Sequence, residues 1–345
     1  MELKRRYIFK GFFTNFSFSF LIIFFIFFLN SLFQLIDLII KGPFSIIPIL
    51  NFFILTVAIS FQYIIPLSVL SASISFFSIL SSDRELNIFA FSGIPYHSLI
   101  IPLINFSIIF TLFLFYFNFF SLPQMKFEKR NIMDKIKLKN PLFLITEKEV
   151  IREIPDTTIY IEKIYRDFNF KNISITKKED SLTIFLKAEK GKVIYNPQNN
   201  QLIFLLENGD ILNYTKNAVN TINFKKYEFL INLPQNFQLP SIRPKISEMG
   251  FSKLIKIKNI ESSIELHKRI IFSITPLIFL ILGYCIGINL KQKNKVLYIG
   301  LGGLISIIFF ELLIVGELIV RRFEKSVFLY FPVIVFVLII KRIWK

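Results

Sequence analysis

Cysteine and histidine are nearly missing from this 345-residue chain. The single cysteine, Cys285, lies in an apolar run, so no disulfide can form within the chain and no Cys/His metal-ligand spacing exists. The two histidines, His97 and His267, are far apart, which gives no basis for a metal site or for His-based catalysis. A Gly-x-x-x-x-Gly-Lys-Ser/Thr phosphate loop is also missing, because Gly191-Lys192 lacks the upstream glycine. No nucleophile–base pair is visible. The chain is expected to be no enzyme and to hold no cofactor or metal.

Charge is missing over long stretches. No Asp, Glu, Lys, Arg or His occurs from Gly42 to Ser82, and none between His97 and Lys126. With 53% hydrophobic residues, these runs are too long to hide in a soluble core, so the chain reads as an integral membrane protein. Six spans are expected at about 12–40, 52–80, 96–122, 270–290, 296–320 and 326–340, each set against the ~20 residues that a crossing needs. The first is too long for a signal peptide and lacks a small-x-small cleavage site. GPFSIIP at 42–48 supplies a proline-rich turn. The sixth is short and needs snorkelling flanks or a thinned bilayer. The 44 Phe accompany abundant Ile, Lys and Asn, a pattern of AT-rich coding, so no aromatic binding surface is read from them.

The net charge of +17 is partly concentrated beside the spans, in MELKRRYIFK at the start, KQKNK at 291–295 and KRIWK at the end. Basic clusters flanking spans face the cytoplasm. This places both termini and 81–95 inside and 123–262 outside; only VRRFEKS at 320–326 breaks the pattern. Nucleic acid is not needed to explain the charge. The expected architecture is a polytopic α-helical membrane protein, three spans plus three, with an inserted all-β domain. Its parts are 1–122, 123–262 and 263–345.

Within the insert, residues 143–233 turn to period two. SLTIFLKAEK (181–190), KVIYN (192–196), NQLIFLLENG (200–209) and NTINFKKYEFLINL (220–233) read as strands, and Asn208-Gly209 reads as a hairpin turn. An antiparallel sandwich or jelly roll is expected. It could be a rigid spacer, a lipid-holding groove or a sheet edge that accepts another protein's strands. The charged clusters at 126–139 and 253–258 read as juxtamembrane helices or stalks.

Between spans two and three lies SSDRELNIFAFSGIP (81–95). Ser82-Asp83-Arg84-Glu85 fits a capping box, with Ser82 as the cap and Glu85 reaching back. Asp83 and Glu85 suit the positive end of the helix dipole. Leu86, Phe89, Ala90 and Gly93 recur at helical spacing, and Gly93-Ile94-Pro95 ends the run. The segment is either a connector in the headgroup plane or a rigid helix that seats in a protein groove. Its two acids and one Arg suit the groove better than a lipid surface.

Charges inside spans are costly. Asp37 and Lys41, and Glu317 and Arg321, each stand at i,i+4 with Arg322 adjacent, and acid-before-base order lets them pair on one helix face. They are either self-neutralising pairs or, for Lys41, Arg321 and Arg322, a site for lipid phosphates. Glu311 sits deeper and alone, needing a partner or a proton. Glu265 and Arg269 read as an interfacial pair or a substrate contact.

The run ISFQYIIPLSVLSASISFFSILSSDRELNIFAFSGIPYHSLIIPL (59–103) resembles the LptF/LptG family of lipopolysaccharide-export permeases. It shares a proline-containing, small-residue-rich second span, Glu85-Leu86 and Ala90-x-x-Gly93. ELHKRIIFSITPLIFLILGYCIGI (265–288) is similar to the family's Glu-x-x-x-Arg start of the fourth span, followed by Pro276 and Gly283. LLENGDILNY to FKKYEF leans toward the LptF side. The resemblance implies a permease of the bacterial inner membrane, with 123–262 as a periplasmic β domain. It would work with a second permease of the family, an ABC ATPase dimer that binds the ATP and magnesium, and periplasmic β-jelly-roll bridge proteins. Lipopolysaccharide or a related lipid would leave the outer leaflet of the inner membrane for the outer membrane. The resemblance makes 83–92 the coupling helix, with Asp83, Arg84, Glu85, Leu86 and Phe89 facing the ATPase and Glu85 docking on it. It also implies that spans one and five line a central cavity, where the family typically has more basic residues than the single Lys41. Competing readings are a structural or receptor protein with a β ectodomain and a permease that works mechanically on other proteins.

Overall fold

The structure is a computed structural model that describes residues 2–40, 46–139, 142, 145, 147–152, 154, 156–165, 168–179, 182–196, 199, 201–215, 218–232, 244–257, 259–290 and 294–344. Two compact units divide the chain. One comprises Met1–Leu38, Ile46–Lys129 and Pro244–Lys345; the other comprises Ile39–Ser45 and Arg130–Arg243.

The helical unit begins with α1 (Glu2–Ile40) and α2 (Ile46–Ser82), then the short α3 (Glu85–Phe91) and a 3₁₀ turn, Tyr96–Leu99. α4 (Ile101–Tyr116) passes through a π-helical turn, Phe117–Ser121, into α5 (Leu122–Lys139). After the β unit come α6 (Phe251–Lys256), α7 (Ile260–Asn289), α8 (Lys295–Phe323), a 3₁₀ turn Ser326–Tyr330 and α9 (Phe331–Trp344). Five helical stretches are long and apolar enough to cross a bilayer: Arg5–Ile39, Ile46–Ser82, Ile101–Ile136, Ile260–Asn289 and Lys295–Phe323. They cover the first five expected spans. The sixth expected span is the 3₁₀ turn Ser326–Tyr330 followed by the 14-residue α9. The juxtamembrane cluster at 126–139 continues the third span as helix, and 253–258 falls largely on α6.

Small residues decide how the helices meet. α2 buries Ser68, Ser71, Ser73, Ser75 and Ser78. Ser73 Oγ donates to the Leu280 carbonyl at 2.8 Å and Ser81 Oγ to the Ile288 carbonyl at 2.8 Å, so α2 and α7 are joined by side-chain hydrogen bonds to backbone. A Cβ on Gly283 would lie 2.6 Å from Ser73 Cβ, and one on Gly302 would lie 2.3 Å from Ser71 Oγ. Small residues let backbones approach where lipid supplies no hydrophobic drive for helices to associate. α1 meets its neighbours differently. Phe12 stacks edge-on against Phe76 and Phe106, and Phe16 packs on Phe106 and Phe110. Ser75 Oγ donates to Asn15 Oδ1 at 3.0 Å.

The β unit is antiparallel, as expected, but its described strands form one sheet in sequential order: β1 (Val150–Ile151), β2 (Thr157–Ile164), β3 (Asn169–Glu179), β4 (Leu182–Asn196), β5 (Gln201–Thr215) and β6 (Ala218–Asn232). The expected strands 181–190 and 192–196 are a single strand, β4. The expected hairpin turn at Asn208-Gly209 lies inside β5, where the register with β4 and β6 continues on both sides. Asn208 instead takes φ 53°, a conformation that Asn tolerates better than most residues.

This residue belongs to a crease that runs from β2 to β6. The ladders skip the pairs at 162 and 172, 172 and 189, 189 and 208, and 208 and 225. Asn172, on the same line, also has φ 53°. The burial alternation changes phase there. β4 buries Leu186 and Ala188 before the crease and Val193 after it, while β5 buries Leu202, Phe204 and Leu206, then Ile211. The bend gathers side chains from both halves of each strand into one apolar core. A single meander thereby acquires the enclosed core expected of a sandwich.

Candidate functional site

α2 runs through Ser82, so the expected capping box does not form. Ser82 Oγ donates back to the Ile79 carbonyl at 3.0 Å. The break comes two residues later, where Arg84 takes φ 59° and its carbonyl accepts the Asn87 N–H at 3.0 Å. A left-handed residue redirects a chain sharply, and for a side chain with a Cβ it is strained. The helix starts at Glu85 and has seven residues, not the ten of 83–92. Its end is as expected. Gly93 has φ 74°, its N–H donates to the Ala90 carbonyl, and the Ile94 N–H donates to Phe89, a Schellman stop.

Glu85, free of any capping role, meets α1. The Tyr7 hydroxyl lies 2.8 and 3.0 Å from the two carboxylate oxygens and donates to the carboxylate. Leu86 is 5% exposed and joins a core with Ile8, Phe12, Phe76, Leu99 and Leu103, against which Phe89 and Ile94 also pack. Leu86 is therefore buried in this core, and Phe89 is partly buried against it. The outward face carries Asp83, Arg84, Asn87, Ile88 and Phe91, the last 91% exposed. The sequence reading did not single out Tyr7, Ile88 or Phe91. The i,i+3 spacing of Ile88 and Phe91 was a signal for an outward apolar pair; nothing in the sequence pointed from residue 7 to residue 85. Beside α3 opens a cavity of about 900 Å³, lined by residues such as Gly93, Pro95, His97, Cys285 and Asn289.

A second group of candidate side chains lies where the start of α7 meets the end of α8. Glu265 and Arg269 form the expected pair at 2.9 Å, with Arg269 also donating to the Ser247 carbonyl at 3.2 Å. The expected pair of Glu317 with Arg321 is not made. Glu317 pairs with Lys268, and Arg321 pairs with Glu261 at 3.1 Å, so both bonds run between helices. Such interhelical geometry is not contained in i,i+4 spacing. Arg322 is exposed, with its guanidinium 5.9 Å from the centre of the Phe323 ring. Asp37 is exposed near the end of α1, and its expected partner Lys41 lies outside the described residues. Glu311 is exposed on α8. Among the described residues, no group of three or more His, Cys, Asp or Glu could hold a metal ion.

The family model described as lipopolysaccharide export system permease LptF/LptG matches residues 6–345. No curated protein matches the chain.

Proposed function

The chain belongs to the LptF/LptG family of lipopolysaccharide export permeases, and from that premise we propose that it is the membrane subunit of an ABC exporter in the bacterial inner membrane. The observation that carries the reading is α3: a short, sharply entered helix, anchored inward by Leu86 and Phe89, that presents Ile88 and Phe91 to the outside. An apolar pair flanked by Asp83, Arg84 and Glu85 suits a groove on a soluble ATPase, where helix-in-groove docking reads alternate apolar anchors. The ATPase, a dimer, binds and hydrolyses ATP; this chain transmits the motion.

In this reading both termini and α3 face the cytoplasm, the β unit is periplasmic, and α9 with the preceding 3₁₀ turn completes a sixth crossing. ATPase closure displaces α3. Motion passes directly into α2, which carries α7 with it through the Ser73 and Ser81 hydrogen bonds. Lipopolysaccharide or a related lipid leaves the outer leaflet beside α1 and α8, with Lys41, Arg321 and Arg322 meeting its phosphates. The β unit receives it and passes it to periplasmic bridge proteins built on jelly rolls. A second permease of the family completes the membrane part, with this chain on the LptF side.

The test is copurification of the full chain with the ATPase. Phe91→Asp and Glu85→Lys are each expected to insert normally, lose the ATPase and stop export. A chain that carries either change and still binds the ATPase at wild-type yield, with unchanged export, overturns the docking role of α3.

A further inference from the structure

On the face of the β sheet turned away from its apolar core, a trough of about 630 Å³ opens along the crease between two rows of polar side chains. The first row is Tyr160, Ser174, Lys187, Asp210 and Asn223, each the register partner of the next from β2 to β6. Strands lie about 4.8 Å apart, so this row is about 19 Å long. The second row is Glu162, Asn172, Glu189 and Asn208, the positions that the ladders skip. Ala188 and Gly209 lie between the rows. A Cβ on Gly209 would strike the Lys187 carbonyl oxygen at 2.1 Å, so backbone forms the floor there. Irregular pairing of this kind re-aims side chains and is common beside binding sites.

The lining sorts ligands by their chemistry. An acyl chain finds walls of amides, carboxylates and hydroxyls. A phosphate finds one ammonium, Lys187, against the carboxylates of Glu162, Glu189 and Asp210. Among the described residues, no group of three or more His, Cys, Asp or Glu could hold a metal ion. Neutral hydroxyl groups fit. A carboxylate accepts from several hydroxyls, and an amide both donates and accepts. Asn172 Nδ2 donates to Glu162 Oε2 at 2.5 Å, which orients both groups. Glu189, Asn208, Asp210 and Asn223 are exposed, so their polar groups are open to a ligand. Tyr160, 39% exposed, adds an apolar ring face that suits the C–H side of a sugar ring.

We propose that the outer face of the crease binds a neutral oligosaccharide. Glu189 and Asp210 accept hydrogen bonds from its hydroxyls, Asn208 and Asn223 donate to its oxygens, and Tyr160 covers one ring. The proposal rests on the export reading only for the source of the sugar, because lipopolysaccharide carries an oligosaccharide to the β unit. A cell-wall glycan presents the same chemistry.

The full chain, purified in a detergent without a sugar headgroup, is titrated calorimetrically with two lipid-free neutral probes. One is the dephosphorylated oligosaccharide released from lipopolysaccharide; the other is chitotriose, for a cell-wall glycan. The wild type is expected to bind the first, with an affinity that changes less than about twofold as salt is raised, since the ligand is uncharged. Asp210→Ala combined with Asn223→Ala removes two hydrogen-bonding groups and is expected to weaken binding about tenfold. Glu228→Ala, which removes an exposed acid elsewhere on the sheet, is expected to bind as the wild type does. All three positions are exposed, and the variants are expected to keep the wild-type unfolding midpoint. Binding of neither probe overturns the proposal, as does undiminished binding by the double variant, an equal loss in Glu228→Ala or a steep fall with salt. Binding of chitotriose alone keeps the site and assigns its sugar to the cell wall. Oligosaccharide binding by a chain that exports no lipopolysaccharide leaves the site standing while the export reading fails.

Discussion

The Tyr7 hydroxyl donates to the Glu85 carboxylate, at 2.8 and 3.0 Å from its two oxygens, across 78 residues of chain. This contact ties the base of α1 to the first residue of α3. Both groups are at the surface, so the bond is worth about 1 kcal/mol or less.

Removing it tests whether α1 shares in coupling. Tyr7→Phe keeps the ring and loses the donor. Its effect on folding stability is expected to stay within about 1 kcal/mol, with ATPase docking weakened by no more than roughly fivefold. Export is expected to fall more than docking does, because α1 no longer follows α3. Titration of the purified ATPase onto the permease, read beside export rates, checks this. Equal losses in both would assign Tyr7 to docking alone.

The α2–α7 seam predicts a steep size dependence. A Cβ on Gly283 meets Ser73 at 2.6 Å and the Leu70 carbonyl at 3.0 Å, whereas one on Gly300 or Gly303 meets nothing within 4 Å. Gly283→Val is expected to cost about 1–3 kcal/mol through overpacking, seen as a lower thermal unfolding midpoint in detergent. Gly300→Ala and Gly303→Ala should leave that midpoint unchanged or raise it slightly, since Ala is the better helix former.

At the crease of the β sheet, side-chain shape decides. Asn208 has φ 53° inside β5, so Asn208→Gly is expected to be tolerated while Asn208→Val costs about 1–2 kcal/mol. At the next position, a Cβ on Gly209 would lie 2.1 Å from the Lys187 carbonyl oxygen. Gly209→Ala therefore forces the strands apart and is expected to be the most damaging of the three. Protease resistance of the β unit in the full-length protein would rank them.

The headgroup proposal separates function from stability. The Arg321–Glu261 pair is about half exposed on both sides, and such pairs contribute roughly 0–1 kcal/mol. Replacing Lys41, Arg321 and Arg322 together by Gln should barely change the unfolding midpoint. Photo-crosslinking to lipopolysaccharide should fall at least tenfold, on the order of 1 kcal/mol for each basic group near an anionic headgroup. Undiminished crosslinking would reduce these residues to surface charges.

How much was legible differs from place to place. The five long apolar helices, the Gly93 stop and the Glu265–Arg269 pair could be read directly, because each depends on composition or on spacing within one helix. The capping box failed because α2 does not end before Ser82, and local pattern does not say when a neighbouring helix will run on. The Asn208-Gly209 turn failed for a related reason. The same dipeptide serves a hairpin or a bent strand, and pairing with β4 and β6 makes the choice.

By itself the amino-acid order determined that this chain crosses a membrane, carries a β insert and resembles one permease family, since burial in lipid and period-two patterning are properties of short segments. Tertiary structure alone decided which charge meets which, that Tyr7 holds Glu85, that Leu86 turns in while Phe91 turns out, and that Glu311 is left facing outward. Those outcomes depend on which helix faces are brought together, and a side chain's partner across such a contact has no fixed distance along the chain.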